Sequence, residues 1–205
     1  LVGDLAGQNG LAIFCAATRA MVDGEFVQLR NNEQYELSEE KYFEAIQGKT
    51  AQFISAACEV GTVFAGGSEL EQHAFKTYGS NLGAAFQIID DVLDYLGDEA
   101  KTGKQVGNDL VEGKVTLPLI LALKNAELED RNALLNLLKN EEDRKKGFTE
   151  VIQLVDNNKG FSKSKDTAEN LVNEGISLLN ELKCKDSLAG NILVGLARYV
   201  LARNK

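Results

Sequence analysis

Periodic positions along this chain recur three and four residues apart, and nowhere does a two-residue alternation last long enough to make a strand. From Gly10 to Arg30 the pattern falls on Leu11, Phe14, Cys15, Thr18, Met21 and Val22, one side of a helix that Asn31-Asn32 ends. Ser38-Glu39-Glu40-Lys41 resembles a capping box and predicts a second helix from about Glu40 to Ala65, stopped by Gly66-Gly67-Ser68. Helix resumes to about Lys76, and Tyr78-Gly79-Ser80 reads as a break. A strongly apolar helix is expected from Asn81 to Leu96 and a glycine-rich, charged loop from Gly97 to Gly113. Thr116 to Asn125 follows with Pro118 in its first turn, where proline is tolerated. Asp130–Leu138, Lys145–Asp156, Ser164–Leu182 and Leu188–Ala202 complete an all-α expectation.

Composition agrees. The chain has 1 proline in 205 residues, where average usage of about 5% predicts roughly ten. Proline breaks helices and punctuates loops, so its scarcity favours long helices. The length suits one domain, residues 1–205. A net charge of −9 argues against nucleic acid, whose phosphates call for clustered Lys and Arg. No apolar run reaches the roughly 18 residues of a membrane span. Cys15, Cys58 and Cys184 are odd in number and follow no metal-like spacing, which predicts a reducing, cytoplasmic setting without a disulfide framework. The chain opens at Leu1 and shows no leader pattern, so upstream residues are expected to be missing.

Chemistry concentrates in Phe86-Gln87-Ile88-Ile89-Asp90-Asp91-Val92-Leu93-Asp94. On a helix, Gln87, Asp91 and Asp94 lie within about 100° of Asp90, and the apolar residues lie opposite. Three carboxylates this close repel one another, more so beside an apolar face. A divalent cation removes that cost, and hard oxygen ligands in this number suit Mg²⁺ shared with a substrate phosphate. The competing explanation is a solvated acidic face. That face would mix Lys with Glu, whereas this one holds only Asp and Gln, and Asp is a poor mid-helix residue. The spacing of an EF-hand is absent.

A phosphate shared with metal also needs cations. Gly48 interrupts the second helix and predicts a kink that aims Lys49. Lys104 and Lys114 sit in glycine-flanked backbone after the aspartates, suited to closing over an anion. Neither stretch is a P-loop.

Taken in order, Gly24-Glu25-Phe26-Val27-Gln28-Leu29, Gly48-Lys49-Thr50-Ala51, Phe86-Gln87 through Asp94, and Gly103-Lys104 through Lys114-Val115-Thr116-Leu117-Pro118 resemble the trans-isoprenyl diphosphate synthases, or polyprenyl synthetases. The resemblance is close over about residues 20–125 and looser elsewhere. It implies a helical bundle around a central cavity, a homodimer, and three Mg²⁺ ions that help ionise an allylic diphosphate before head-to-tail addition to isopentenyl diphosphate. By the same resemblance, Asp90, Asp91 and Asp94 form the second aspartate-rich motif, with Asp90 and Asp94 the more direct metal contacts. Lys49 and Lys104 would grip the allylic diphosphate, Lys114 and Asp109 would sit in the closing loop, and Thr50 and Gln87 would line the place where the allylic cation forms. The product would be a medium or long polyprenyl diphosphate. The family's first aspartate-rich motif is absent from this chain, so the domain is expected to lack its N-terminal part. Two alternatives stand beside this: a non-catalytic partner subunit, and a terpene cyclase of the same fold.

Other features are expected to be structural. His73 should face solvent, and Phe14, Phe26, Phe53, Phe64 and Phe75 should be core. Ala57, Gly61 and Ala65 should serve close helix packing, the alternative being the wall of an apolar tunnel. Lys139–Lys146 should be a solvated loop. Arg198, Arg203 and Lys205 suit a helix C-terminus, though the resemblance allows a basic tail that covers the isopentenyl site.

Overall fold

A computed structural model describes residues 1–97, 106–182 and 187–203, and among these every regular element is helical. The elements are α1 (Val2–Asn31), α2 (Glu39–Ile46), a π-helical segment (Gln47–Ala51), α3 (Gln52–Phe64) and α4 (Glu69–Leu96). They continue with α5 (Asn108–Val111), α6 (Leu117–Asn125), α7 (Leu128–Leu137), α8 (Glu141–Lys146), α9 (Phe148–Asn157), α10 (Gly160–Glu181) and α11 (Leu188–Ala202). The all-α expectation holds.

α4 is the central strut. It packs against α3 on one side and α10 on another, with α11 and the π segment also against it. Its start is a reciprocal capping box: Ser68 Oγ accepts from the Glu71 backbone N–H, and Glu71 returns a carboxylate to the Ser68 N–H at 2.8 Å. Ser38 also caps α2, but only one way, accepting from Lys41 N–H at 3.4 Å. The break expected at Tyr78-Gly79-Ser80 does not occur. α4 runs straight through, because Gly79 is required for contact: a Cβ there would lie 2.8 Å from Ser55 Cα on α3.

α1 reaches the π segment equally closely. A Cβ on Gly24 would lie 2.3 Å from the Lys49 backbone nitrogen, and one on Gly48 would lie 2.8 Å from Gly24 Cα. Two helices touch backbone to backbone there, and the second widens by one residue per turn at the contact. π-bulges of this kind gather at functional positions. The interruption expected at Gly48 is this π segment.

Large apolar side chains fill the other half. Leu117, Leu119, Leu134, Leu138, Val151, Val155 and Phe161 are buried with Ile88, Val92 and Tyr95 of α4. The phenylalanine expectation fails at four positions, Phe14, Phe26, Phe53 and Phe64, which are exposed, while Phe75 is half-buried and packs against the core. Where α1, the π segment, α3 and α4 touch, the closest contacts are made at Gly and Ala, and the rings buried in α2 and α4 are Tyr42, Tyr78 and Tyr95. The Lys139–Lys146 stretch is also corrected. Most of it forms α8, and its Arg144 is buried, bonded to Glu33, the Tyr35 hydroxyl and the carbonyls of Val111 and Leu138. His73 is exposed, as expected.

Candidate functional site

The π segment and the middle of α4 lie side by side, and three of the polar side chains named from the sequence, Thr50, Gln87 and Asp91, meet there. Thr50 Oγ1 donates to Gln87 Oε1 at 2.9 Å. Gln87 Nε2 donates to Asp91 Oδ1 at 2.8 Å, and Tyr42 of α2 donates its hydroxyl to Asp91 Oδ2 at 2.6 Å. Four side chains from three elements thus form one hydrogen-bonded row.

The three aspartates have different surroundings. Asp90 is half-exposed and faces Arg203 at the end of α11, 3.3 Å away. The Arg203 guanidinium also lies 4.4 Å over the Phe86 ring, and its Nη1 is buried with no hydrogen-bond partner among the described residues. Asp91 is 1% exposed, with both oxygens taken by Tyr42 and Gln87. Burial pushes its carboxyl up to about 7, against the two hydrogen bonds, and the charges of Asp109 and Asp90 add to the rise. Burial, then the Asp91 charge, lift the Tyr42 hydroxyl well above its ordinary value, so it stays a donor. Asp94 is half-buried and receives the Asp109 backbone N–H on Oδ2 at 3.1 Å, while its carbonyl receives the Gly107 N–H at 2.7 Å. The segment after the described gap is therefore anchored on the end of α4.

The lysines divide. Lys49 Nζ donates to Gln28 Oε1 at 2.6 Å and pairs with Glu25 at 2.9 Å, both on α1. Lys114 Nζ bonds Asp109 Oδ1 at 2.5 Å and Glu112 Oε2 at 3.0 Å. Burial opposes its charge, but the hydrogen bonds and charges of Asp109 and Glu112 outweigh that and raise its pKa above the ordinary lysine value. Lys104 lies outside the described residues. Among those described, no group of three His, Cys, Asp or Glu side chains is gathered for a metal.

Beyond Thr50, α3 borders a cleft of about 520 Å³ lined by Ala57, Cys58, Gly61, Thr62, Phe75 and Leu193. Ala57, Gly61 and Ala65 are exposed on its wall, and a Cβ on Gly61 would meet nothing within 4 Å. Close helix packing is therefore not what these small residues do. Of the partners found here, Tyr42 was not singled out in the sequence, and Gln28 stood inside the Gly24–Leu29 motif without a role of its own. Tyr42 reaches Asp91 across 49 residues of chain, and nothing in the sequence around it signals that contact.

The polyprenyl synthetase family model matches residues 4–155 of this chain. The octaprenyl diphosphate synthase of Haemophilus influenzae is 34% identical over 192 residues, covering 92% of this chain and 58% of that protein. The octaprenyl diphosphate synthase of Escherichia coli is 31% identical over 100% of this chain and 62% of its own length. A solved polyprenyl synthase of Caulobacter crescentus, complexed with calcium and isoprenyl diphosphate, aligns with a TM-score of 0.88 at 32% identity, over 97% of this chain and 60% of that one. The chain spans about three-fifths of the length of these relatives.

Proposed function

Because this chain belongs to the polyprenyl synthetase family, we propose that its π-segment site binds an allylic diphosphate and passes the prenyl group head-to-tail to isopentenyl diphosphate. The observation that carries this reading is the row Thr50–Gln87–Asp91, flanked by Lys49 and by the half-exposed Asp90. Thr50 gives its proton to Gln87, so the free lone pairs of its hydroxyl oxygen are turned to whatever occupies the site. Oxygen lone pairs without a competing proton suit a carbon that becomes cationic as diphosphate leaves. Lys49 supplies a point charge for the diphosphate, exchanging its carboxylate and amide partners for phosphate oxygens. The apolar cleft begins about 10 Å along α3 from Thr50, at 1.5 Å per residue, and receives the hydrocarbon tail.

Asp90 and Asp94 fit magnesium, which takes one or two hard carboxylates and completes its shell with water and phosphate oxygens. The Arg203 guanidinium 3.3 Å from Asp90 Oδ1 supports this reading, since it places positive charge beside a half-exposed carboxylate. Bound magnesium, with three ions expected around the diphosphate, supplies charge neutralisation on the leaving group. Asp91, closed in behind, orients Gln87 instead. The unused Arg203 N–H is suited to an anionic oxygen of the second substrate.

A second chain is part of this proposal, as in the homodimer the sequence suggested. Val22, Phe26 and Leu29 of α1 are exposed on the side turned away from Gly24, where a partner would cover them. The Bacillus subtilis relative, 30% identical over 86% of this chain, is named as component 2 of its synthase, which favours a heteromeric form of the same reading.

The test uses purified chain with Mg²⁺ and farnesyl thiolodiphosphate, an allylic diphosphate that does not ionise readily, followed by calorimetry and by turnover of farnesyl diphosphate with isopentenyl diphosphate. Asp90→Ala is expected to weaken binding about tenfold or more, without unfolding the chain, and to reduce turnover further. Equal binding by wild type and Asp90→Ala would remove Asp90 from the proposed metal site.

A further inference from the structure

Tyr42 lies outside every motif that marks the site, yet it is the far end of the hydrogen-bonded row. Its ring is buried in the core with Ile46, and its hydroxyl has one partner among the described residues, Asp91 Oδ2, at 2.6 Å. The other Asp91 oxygen accepts from Gln87 Nε2 at 2.8 Å, so each carboxylate oxygen has a donor.

A glutamine amide can present either its oxygen or its NH₂ to a neighbour, and the two orientations differ only by a half-turn. With Asp91 ionised, turning Gln87 over would set its carbonyl oxygen against a carboxylate oxygen, two acceptors in contact. The buried carboxylate therefore forces the nitrogen inward and the oxygen outward, towards Thr50. A carboxylate with a single donor could swing about its own bond and release that constraint. Tyr42 holds the second oxygen and stops the swing.

We propose that Tyr42 is a positioning residue for the allylic end of the site: through Asp91 it fixes the direction of the Gln87 amide, and through Gln87 it fixes where the Thr50 hydroxyl sends its proton. The functional consequence rests on the allylic reading above, while the geometric part does not. With Tyr42 in place, Thr50 offers lone pairs to the site. Without its hydroxyl, Gln87 samples both orientations, and in one of them its NH₂ donates to the Thr50 oxygen. Thr50 is then free to point its proton at the developing cation, which is the wrong polarity for stabilising it.

The experiment has a spectroscopic arm and a kinetic arm. In ¹⁵N-labelled wild type, the Gln87 side-chain NH₂, assigned by its loss in Gln87→Met, is expected to exchange slowly with solvent. In Tyr42→Phe, which keeps the ring and removes only the hydroxyl, that protection is expected to fall about tenfold or more. Free exchange in the wild type overturns the proposal whether or not any variant folds, and so does unchanged protection in Tyr42→Phe. In the kinetic arm, with farnesyl diphosphate, isopentenyl diphosphate and Mg²⁺, Tyr42→Phe is expected to lower kcat about tenfold with both KM values within about twofold. The same change made in Thr50→Val is expected to add almost nothing, because the group through which Tyr42 acts is gone. Additive losses, or a loss confined to KM, overturn the proposal. Wild type without turnover overturns the allylic reading and leaves the amide measurement to decide the role of Tyr42.

Discussion

The layer built from α1, the π segment, α3 and α4 packs on small residues, and the helices after Thr116 pack on large ones. In the first, Gly24 meets Gly48, Gly83 meets Ala51 and Gly79 meets Ser55, so main chains set the spacing directly. In the second, Leu117, Leu119, Leu134 and Leu138 interlock with side chains on both sides. Backbone contact leaves little freedom in where Lys49, Thr50 and Gln87 stand, which a site for charged reactants requires. Side-chain burial is where most of the hydrophobic stabilisation comes from, because it removes far more apolar area from water. One half holds the geometry and the other holds the fold. Phe14, Phe26, Phe53 and Phe64 of α1 and α3 are exposed, because small residues rather than rings make the contacts of these helices with the π segment and α4.

Large-to-small changes in the second region are the most severe test. Leu119 is fully buried, and Leu119→Ala is expected to cost about 2–5 kcal/mol in urea unfolding. At low temperature, where the variant stays folded, Gln87 side-chain protection should match wild type. A site disturbed along with the stability would show that the two regions are not separable.

The next largest effect lies in the first region and depends on pH. The Asp91 carboxyl sits at about 7 when folded, against an ordinary 3.8. Between those values the folded chain holds a proton that the unfolded chain has released. Stability therefore falls as pH rises from about 4 to about 7, with an upper bound of about 4 kcal/mol at one pKa unit per 1.36 kcal/mol. Asp91→Asn has no such proton to lose. Without divalent metal, its stability relative to wild type should improve from about pH 5 to about pH 8. A constant difference between the two proteins across that range would mean that Asp91 ionises without penalty.

Legibility in the sequence divides along the same line. Period and caps located most helices, because apolar spacing and end signals are local. The aspartate face, Lys49, Thr50 and Gln87 were readable for the same reason: they share short motifs. Tyr42, Gln28 and Arg203 join the site through contacts 49, 21 and 113 residues apart in the chain, which no local pattern records. Glycine misled in one direction. Gly79 resembles a helix breaker when read alone and is a helix contact when its neighbour is known. Charge misled in another, since the Lys139–Lys146 run conceals buried Arg144, whose partners come from Glu33, Tyr35 and Val111.

Gly24→Ala tests the backbone contact itself. The added methyl would meet the Lys49 nitrogen and the Gly48 main chain, which have nowhere to yield without moving the π segment. The expected loss is about 1–3 kcal/mol, the usual range for overpacking, together with loss of Gln87 protection because Thr50 shifts with Lys49. Normal protection in this variant would show that the π segment is set by its own sequence rather than by α1.

The same substitution at Gly61 should do the opposite, and it is the smallest effect of the series. Gly61 is in α3, the helix that continues from the π segment, but it faces the open cleft, and a Cβ there meets nothing within 4 Å. No contact is strained by a methyl, and its backbone is ordinary helix. The remaining difference is conformational: glycine loses more freedom than alanine when it enters a helix. Gly61→Ala should therefore stabilise the chain by about 0.5–1 kcal/mol, seen as a modest rise in melting temperature. Gln87 protection should be unchanged, since the site is anchored at Gly24 and Gly83 rather than along the cleft. A glycine-to-alanine change that stabilises at residue 61 and destabilises at residue 24 would establish that glycine serves contact in one place and open space in the other. Destabilisation at residue 61 would mean that something packs against the cleft wall in solution.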